Sequence, residues 1–103
     1  MYKLNYFVPQ EAKEKTKQAL FDIGVGRYDN YEHCSWETLG YGQFKPVADA
    51  NPHIGSINEL EVLNEYKIEM ICKDSLIKKA VKTLKEVHPY EEVAYEVLKI
   101  ENF

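Results

Sequence analysis

The feature that most constrains the fold is a long alternation of apolar and charged residues at 61–72, EVLNEYKIEMIC. Its apolar side chains occupy even positions: Val62, Tyr66, Ile68, Met70 and Cys72. Its charged side chains occupy odd positions: Glu61, Glu65, Lys67 and Glu69. Because successive side chains of a strand point to opposite faces, the pattern predicts a long strand with one buried face and one charged face.

A second alternating segment, YKLNYFV at residues 2–8, also predicts a strand. Pro9 follows it, in a position that suits the first turn of a helix. The apolar residues of that helix recur at helical spacing: Ala12, Ala19, Leu20 and Ile23. Gly24 and Gly26 then mark the end of the helix.

The remaining segments complete the order of elements. Residues 28–39 read as a second strand, and residues 40–60, rich in glycine, proline and polar residues, read as a long loop. Asp74 or Ser75 is expected to cap a second helix. The apolar stripe of this helix is Leu76, Ile77, Ala80, Val81, Leu84 and Val87. Residues 93–100, VAYEVLKI, predict the last strand.

The predicted order is therefore βαββαβ. It favours an α+β, ferredoxin-like fold, in which two helices cover one face of a four-stranded antiparallel sheet. Neither a second domain nor a clear repeat is visible, so we expect residues 1–103 to form a single domain.

The charge balance argues against general binding of nucleic acid, which relies on neutralising phosphates. The chain has 13 basic and 17 acidic residues and a net charge of −4. No segment approaches the ~20 apolar residues of a membrane span, and the N-terminal residues lack the pattern of a signal peptide. Cys34 and Cys72 form neither a CxxC motif nor a zinc-type spacing. These features favour a cytoplasmic protein with reduced thiols and no membrane partner.

The motif NYEHCSW places a histidine beside a cysteine. On a strand these neighbours face opposite sides and cannot easily share one ion. We expect Cys34 and Trp36 to belong to the core. His33 lies on the other face and could approach Glu65 or Glu69 if the second and third strands pair. Such a contact could bind a metal or take up a proton, or it could be a plain surface ion pair.

The motif HPYEE follows the second helix. Pro89 ends that helix, and His88 lies near its negative terminus, where a cation is favoured. Tyr90 can pack its ring while its hydroxyl finds a partner. A helix end explains Glu91 and Glu92 less well, because adjacent residues entering a strand point to opposite faces. A chemical role for this motif therefore stays open.

The long loop contains glycines, but not in the order of a phosphate-binding loop. Its segments GYGQFKP and ANPHIG match neither GxxxxGK[ST] nor GxGxxG between a strand and a helix. Phosphate binding is therefore not indicated. His53 lies in this loop and could either line a pocket or sit exposed in a turn.

Several segments together resemble a known domain. In chain order they are YKLNYFVP, ALFDIGVGRYDNYEHCSW, GYGQFKP, ANPHIG, ELEVLNEYKIE and HPYEEVAYEVLKI. Across nearly the whole chain they resemble the insert domain of the YqfO-type members of the Nif-three-like family. HPYEEVAYE is also similar to a PYE-containing segment of the CutA divalent-cation-tolerance proteins. That insert domain is regarded as CutA-like and is related in shape to PII-type signalling proteins.

The resemblance implies that this sequence is the insert domain standing alone. Full-length family members carry a larger core domain with a two-metal site, and none of those metal ligands can be carried over to this sequence. CutA-like and PII-like domains usually assemble as homotrimers with effectors or ions near subunit clefts. We therefore expect a homo-oligomer, either a trimer or a dimer, in which a second subunit could cover the open face of the sheet.

The first functional hypothesis is a non-enzymatic, oligomeric regulatory module that binds a small ligand or a partner protein at subunit clefts. The fold, the long loop and the lack of a clear catalytic constellation favour it. The candidate ligand-binding residues are His33, His53, Glu65, Glu69, His88, Tyr90, Glu91 and Glu92.

Two alternatives stay open. The first is CutA-like binding of copper or zinc, because mixed nitrogen, sulfur and oxygen ligands suit these metals. Its candidate ligands are His33, Cys34, His53 and His88, with Glu69 or Glu91. The second is a hydrolase-type enzyme, with His88 or His33 as the base and Glu91 or Glu92 as the orienting group. The enzyme hypothesis requires His88 and these glutamates to converge on a cleft.

Overall fold

The structure is a computed structural model that describes residues 1–103. Its elements are β1 (Tyr2–Val8), α1 (Gln10–Asp22), β2 (Trp36–Phe44), β3 (Glu61–Cys72), α2 (Ile77–Val87) and β4 (Tyr95–Lys99). The strands form one antiparallel sheet in the spatial order β2-β3-β1-β4. Both helices pack on the same face of this sheet. The predicted α+β, ferredoxin-like fold is confirmed.

The core lies between the sheet and the two helices. Its buried apolar side chains are Leu4, Tyr6, Val8, Ala12, Leu20, Val25, Ile68, Met70, Cys72, Ala80 and Leu84. The sheet register explains which strand residues are buried. Tyr6 opposes Ile68, so every second residue of β1 and of β3 lies on the side that faces the helices. Thr16 of α1 is also fully buried, and its hydroxyl lies 2.8 Å from the hydroxyl of Tyr6.

The second strand lies later in the chain than the alternation predicts. The sequence predicts a strand over 28–39, whereas β2 begins at Trp36. Asp29 and His33 have positive φ angles of 49° and 60°, which an extended strand cannot contain. The chain forms a tight turn there before it enters the sheet. As a result β2 continues through Phe44 into residues that the sequence assigns to the loop.

The prediction that Cys34 and Trp36 belong to the core is wrong. Trp36 opposes Glu69 in the register and points away from the helices, with 69% of its surface exposed. Cys34 precedes β2 and is only half-buried. The helix-side position falls instead to Glu37, the next residue along the strand. The face assignment failed because the turn before β2 breaks the alternation.

Glu37 is kept on the helix side of the sheet by two lysines of α1. Its carboxylate oxygens accept hydrogen bonds from Lys13 at 2.7 Å and from Lys17 at 2.9 Å. These bonds hold the pKa of Glu37 below its usual range. The edge strand β2 is thereby connected to α1 through ion pairs rather than through apolar packing.

The second helix begins without the predicted side-chain cap. A 3₁₀ turn, Asp74–Leu76, precedes α2, and neither Asp74 nor Ser75 caps it through its side chain. The Asp74 carboxylate accepts hydrogen bonds from the N-terminal amine of Met1 and from Lys99 instead. By length and hydropathy, neither helix qualifies as a membrane-spanning segment.

The β2–β3 hairpin extends beyond the helices. Val62, which the alternation places on the buried face, is 54% exposed. Leu39 and Tyr41 lie on the same face and are exposed as well. No helix covers this part of the sheet, and the molecule is correspondingly elongated, measuring 46 × 26 × 24 Å.

Candidate ligand-binding site

A cavity of about 400 Å³ lies where the loop after β2 meets the segment between α2 and β4. We call it the loop cleft. The lining side chains that matter for its chemistry are Phe44, Lys45, His53, Glu65, Tyr90, Glu91, Glu92 and Ala94. The cleft thus combines three carboxylates with aromatic walls.

Glu65 is fixed in the loop cleft by two features. The hydroxyl of Tyr90 donates a hydrogen bond of 3.0 Å to its Oε2. Gly42 on the adjacent strand leaves the space that the carboxylate occupies, because a Cβ at this glycine would lie 1.7 Å from Oε1. The half-buried carboxylate therefore has a defined position, while its Oε1 accepts no hydrogen bond from the protein.

Tyr90 is the centre of a group of aromatic rings. Its ring centroid lies 4.8 Å from that of His88, in an edge-to-face arrangement. It lies 6.3 Å from the centroid of Phe44 and 6.2 Å from that of His53. Burial and the hydrogen bond to Glu65 both raise the pKa of Tyr90, so the phenol stays protonated and remains a donor at neutral pH.

His88 supports the cleft from beneath and does not line it. It ends α2 in an extended conformation, as expected for a residue before proline. Its Nε2 donates a hydrogen bond of 2.7 Å to the carbonyl of Phe7, and its Nδ1 accepts one of 3.1 Å from the Tyr90 amide. Burial lowers its pKa. The expectation of a cation at this helix terminus is therefore wrong, because a buried neutral imidazole occupies it.

Two further contacts shape the rim of the loop cleft. The Glu91 carboxylate accepts a hydrogen bond of 3.0 Å from the backbone amide of Asn51. His53 Nε2 lies 3.2 Å from Glu11 Oε1 of α1. The loop is thus anchored to α1 on one side and to the segment after α2 on the other.

The structure brings five of the eight candidate ligand residues to one place. His53, Glu65, Tyr90, Glu91 and Glu92 all line the loop cleft. They come from the loop, from β3 and from the segment after α2, which the sequence separates by many residues.

The other candidates lie apart. His33 does not approach Glu65 or Glu69, although β2 and β3 do pair. Its ring stacks on Phe21 with 4.7 Å between centroids, because the turn before β2 directs it toward α1. Glu69 forms an ion pair of 2.5 Å with Lys3.

The predicted metal ligands do not converge. His33 stacks on α1, Cys34 lies before β2 and His88 is buried beneath Tyr90. Across the chain, no three His, Cys, Asp or Glu side chains form a group that could hold a metal ion. The enzyme hypothesis meets a similar obstacle, because Glu91 and Glu92 reach the cleft whereas His88 does not.

A second cavity, of about 420 Å³, lies at the opposite end of the sheet. We call it the tyrosine groove, after Tyr28 and Tyr31. Its wall also contains Lys3, Cys34, Trp36 and Glu69. It combines exposed aromatic rings with a lysine and a glutamate that already pair with each other.

Sequence reasoning missed two residues that shape the loop cleft. Phe44 forms an aromatic wall, and Gly42 makes room for the Glu65 carboxylate. Both belong to the segment GYGQFKP, which the sequence assigns to the loop. An alternation count that began at Trp36 would have placed them on the same face of the sheet as Glu65.

Comparison with known proteins relates this chain to part of larger proteins. It is 38% identical over 99 residues to the GTP cyclohydrolase 1 type 2 homolog of Bacillus subtilis (strain 168), a match that covers 96% of this chain and 26% of that protein. The chain spans about a quarter of the length of the curated relatives that it matches. No protein-family model matches it.

Solved structures give a consistent result. A Bacillus cereus protein related to NIF3 matches with a TM-score of 0.82 and 38% identity, over 98% of this chain and 26% of that one. CutA1 from Pyrococcus horikoshii matches with a TM-score of 0.73 and 15% identity, over 100% of this chain and 86% of that one. The CutA1 similarity concerns the fold alone, whereas the Bacillus cereus match extends to the sequence.

Proposed function

Because this chain is a homologue of one segment of the NIF3-related, YqfO-type proteins, we propose that it acts as a non-catalytic, oligomeric binding module. In this proposal residues 1–103 work as one CutA-like domain. A small ligand occupies the loop cleft, and copies of the chain associate through the sheet face that the helices leave open.

The observation that carries the proposal is the prearranged loop cleft. Glu65 is positioned by Tyr90 and by the absence of a side chain at Gly42. Small-molecule sites are typically concave, largely preformed and lined by apolar groups with a few placed polar ones. A cavity of about 400 Å³ with aromatic walls and a fixed carboxylate fits that description.

The open sheet face supports the association of copies. We define this face by Asn5, Trp36, Lys67, Glu96 and Leu98, which point away from the helices. Trp36 and Leu98 on this face are 69% and 49% exposed, and a second copy lying on it would bury these apolar side chains.

A non-catalytic role is supported by the bonding of His88. The enzyme hypothesis uses this histidine as a base, yet both of its ring nitrogens already hold the fold together. The activity in the name of the Bacillus subtilis relative belongs to a protein of which this chain matches 26%. The copper or zinc alternative gains no support from the arrangement of candidate ligands.

Association is tested by light scattering coupled to size-exclusion chromatography. We expect the parent chain to elute as a homo-oligomer and Leu98→Lys, which places a charge on the open face, to elute as a monomer. Leu39→Lys is the matched control, because Leu39 is similarly exposed on the helix side of the sheet. A monomeric parent chain would contradict the oligomeric part of the proposal.

Ligand binding is tested by a thermal-shift screen against a broad panel of metabolites. We expect at least one compound to stabilise the parent chain and the conservative variant Ala94→Ser. Ala94 lines the cleft, so Ala94→Trp should fill it and abolish the shift. A panel without any hit, or a hit that Ala94→Trp retains, would contradict the proposed site.

A further inference from the structure

We infer that the loop cleft is selective for a small organic cation, a compound bearing an ammonium or guanidinium group. This inference rests on the proposed function, because it names the chemical class of the ligand for the same cleft. It concerns free small molecules and not a peptide or a nucleic acid.

Charge is the first argument. Three carboxylates, those of Glu65, Glu91 and Glu92, line the cleft against a single lysine, Lys45. None of the three has a basic side chain within ion-pair distance. By contrast, Glu69 on the same sheet is neutralised by Lys3. The cleft therefore retains negative charge that a cationic ligand can neutralise.

The aromatic walls are the second, independent argument. The ring centroids of Phe44 and Tyr90 lie 6.3 Å apart and the rings are tilted by 56° to one another. A cation bound in the cleft beside this pair can lie within the ~6 Å of a ring centroid over which ring faces attract positive charge. Aromatic rings beside a carboxylate form the usual environment for an organic ammonium group, because such groups are large and weakly hydrated.

The positioning of Glu65 is the third argument. The Tyr90 hydroxyl donates a hydrogen bond to Oε2 of Glu65. Oε1 of the same carboxylate is free to accept a hydrogen bond from a ligand. The donor of that bond would have to be an N–H or O–H group. A guanidinium or ammonium group supplies several such donors together with the positive charge.

Other ligand classes fit less well. A nucleotide would bring its phosphates toward three carboxylates and meet only Lys45 in compensation. A bare metal ion would need several oxygen ligands at once, and the carboxylates of the cleft form no such group. The remaining class that matches both the charge and the aromatic walls is a small organic cation.

The test uses three probes with the same carbon chain: 1,5-diaminopentane, 1,5-pentanediol and glutarate. They differ in end-group charge, being cationic, neutral and anionic. GTP serves as the nucleotide probe. Isothermal titration calorimetry at low ionic strength should give saturable binding of the diamine at one site per chain, without binding of the diol, glutarate or GTP.

Variants locate the site. Glu65→Gln keeps the shape of the side chain and should weaken binding of the diamine by about tenfold or more, because it removes a charged hydrogen-bond partner. Glu92→Gln, at an exposed position, should weaken it several-fold. Glu86→Gln removes the same charge from an exposed position on α2 and should leave the affinity unchanged.

The outcomes separate the inference from the proposal beneath it. Binding of GTP or glutarate that is lost in Ala94→Trp would overturn the cation inference and leave the proposed ligand site standing. Equal weakening by Glu65→Gln and Glu86→Gln would also overturn the inference, because it would mean that the diamine responds only to overall charge. Absence of diamine binding would overturn it as well, while the proposed function would still be judged on the broad panel.

Discussion

The hydroxyl of Tyr90 donates a hydrogen bond of 3.0 Å to Oε2 of Glu65. This bond connects the segment after α2 to the middle of β3, two parts of the chain that meet only in the folded protein. It sets the position of the carboxylate in the loop cleft. It also gives the hydroxyl of the half-buried Tyr90 side chain a hydrogen-bond partner.

Removal of this bond should cost stability. We expect Tyr90→Phe to lower the free energy of unfolding by about 1 kcal/mol, the usual net contribution of one hydrogen bond. Unfolding in urea, monitored by circular dichroism, measures this change in the free energy of unfolding. Tyr41→Phe is the control, because Tyr41 is 83% exposed and should lose almost nothing. An equal loss in both variants would mean that the Tyr90–Glu65 bond does not stabilise the fold.

The two glycines of β2 should respond differently to alanine. A Cβ at Gly40 meets nothing within 4 Å, so Gly40→Ala should be neutral or stabilise by about 0.5 kcal/mol through the unfolded chain. A Cβ at Gly42 overlaps the Glu65 carboxylate. That flexible side chain will swing away and lose its bond to Tyr90, which should leave Gly42→Ala about 1 kcal/mol less stable than Gly40→Ala.

A double-mutant cycle in urea identifies the cause. If Gly42→Ala acts by displacing Glu65, adding Tyr90→Phe to it should cost nothing further, since the hydrogen bond is already broken. Additive losses would instead indicate that Gly42→Ala acts through some other part of β2.

The fold could be predicted from sequence where the alternation was uninterrupted. The alternation at residues 2–8 and 61–72 predicted β1 and β3 directly. Apolar residues at every second position identify the face of each strand that is buried. Prediction failed at β2, where the positive φ angles of Asp29 and His33 reverse the chain before the strand. Such angles leave little trace in composition when the residues are not glycine. A shift in where the strand begins then exchanges the buried and exposed faces.

The loop cleft could be predicted only in part. Tyr90, Glu91 and Glu92 stood out as one motif, and they do line one cavity. Their meeting with Glu65 depends on how the sheet register aligns distant segments, which no local pattern encodes. His88 was a candidate base and ligand in this motif, yet its two ring nitrogens bond to the backbone. The residue type tells which hydrogen bonds a side chain can form, but only the fold determines its partners.

The buried Tyr6–Thr16 pair should be strongly coupled. Thr16 donates its hydroxyl hydrogen to the Lys13 carbonyl at 3.0 Å, so the Tyr6 hydroxyl donates to Thr16 Oγ1. Thr16→Val leaves the Tyr6 hydroxyl buried without an acceptor and should cost about 1–3 kcal/mol. Adding Tyr6→Phe should recover part of that loss. Urea unfolding of the two single variants and of the double variant measures the recovery. Strictly additive losses would contradict the coupling.

The stability of the fold should fall as the pH drops from about 7 to about 5.5 because of His88. Burial lowers its pKa in the folded chain, whereas in the unfolded chain the pKa stays near the ordinary value of about 6.5. The unfolded state therefore binds the proton more readily. The neutral imidazole contributes its full stabilisation at pH values above the unfolded-state pKa of about 6.5. This contribution is lost as the pH falls toward the lower pKa of His88 in the folded chain. A proton on Nδ1 would also oppose the hydrogen bond that this atom accepts from the Tyr90 amide.

The pH effect is measured by urea unfolding at pH 7.5, 6.5 and 5.5. This window lies above the titration of the carboxylates whose pKa values the ion pairs lower, such as Glu37 and Glu69. His88→Gln should start about 1–2 kcal/mol less stable, because it loses a buried hydrogen-bond partner, and should then vary little across the window. His33→Gln at an exposed histidine is the control, and the change of slope in His88→Gln should exceed any change in this variant. A His88→Gln variant with the parent slope would show that another group carries the pH dependence.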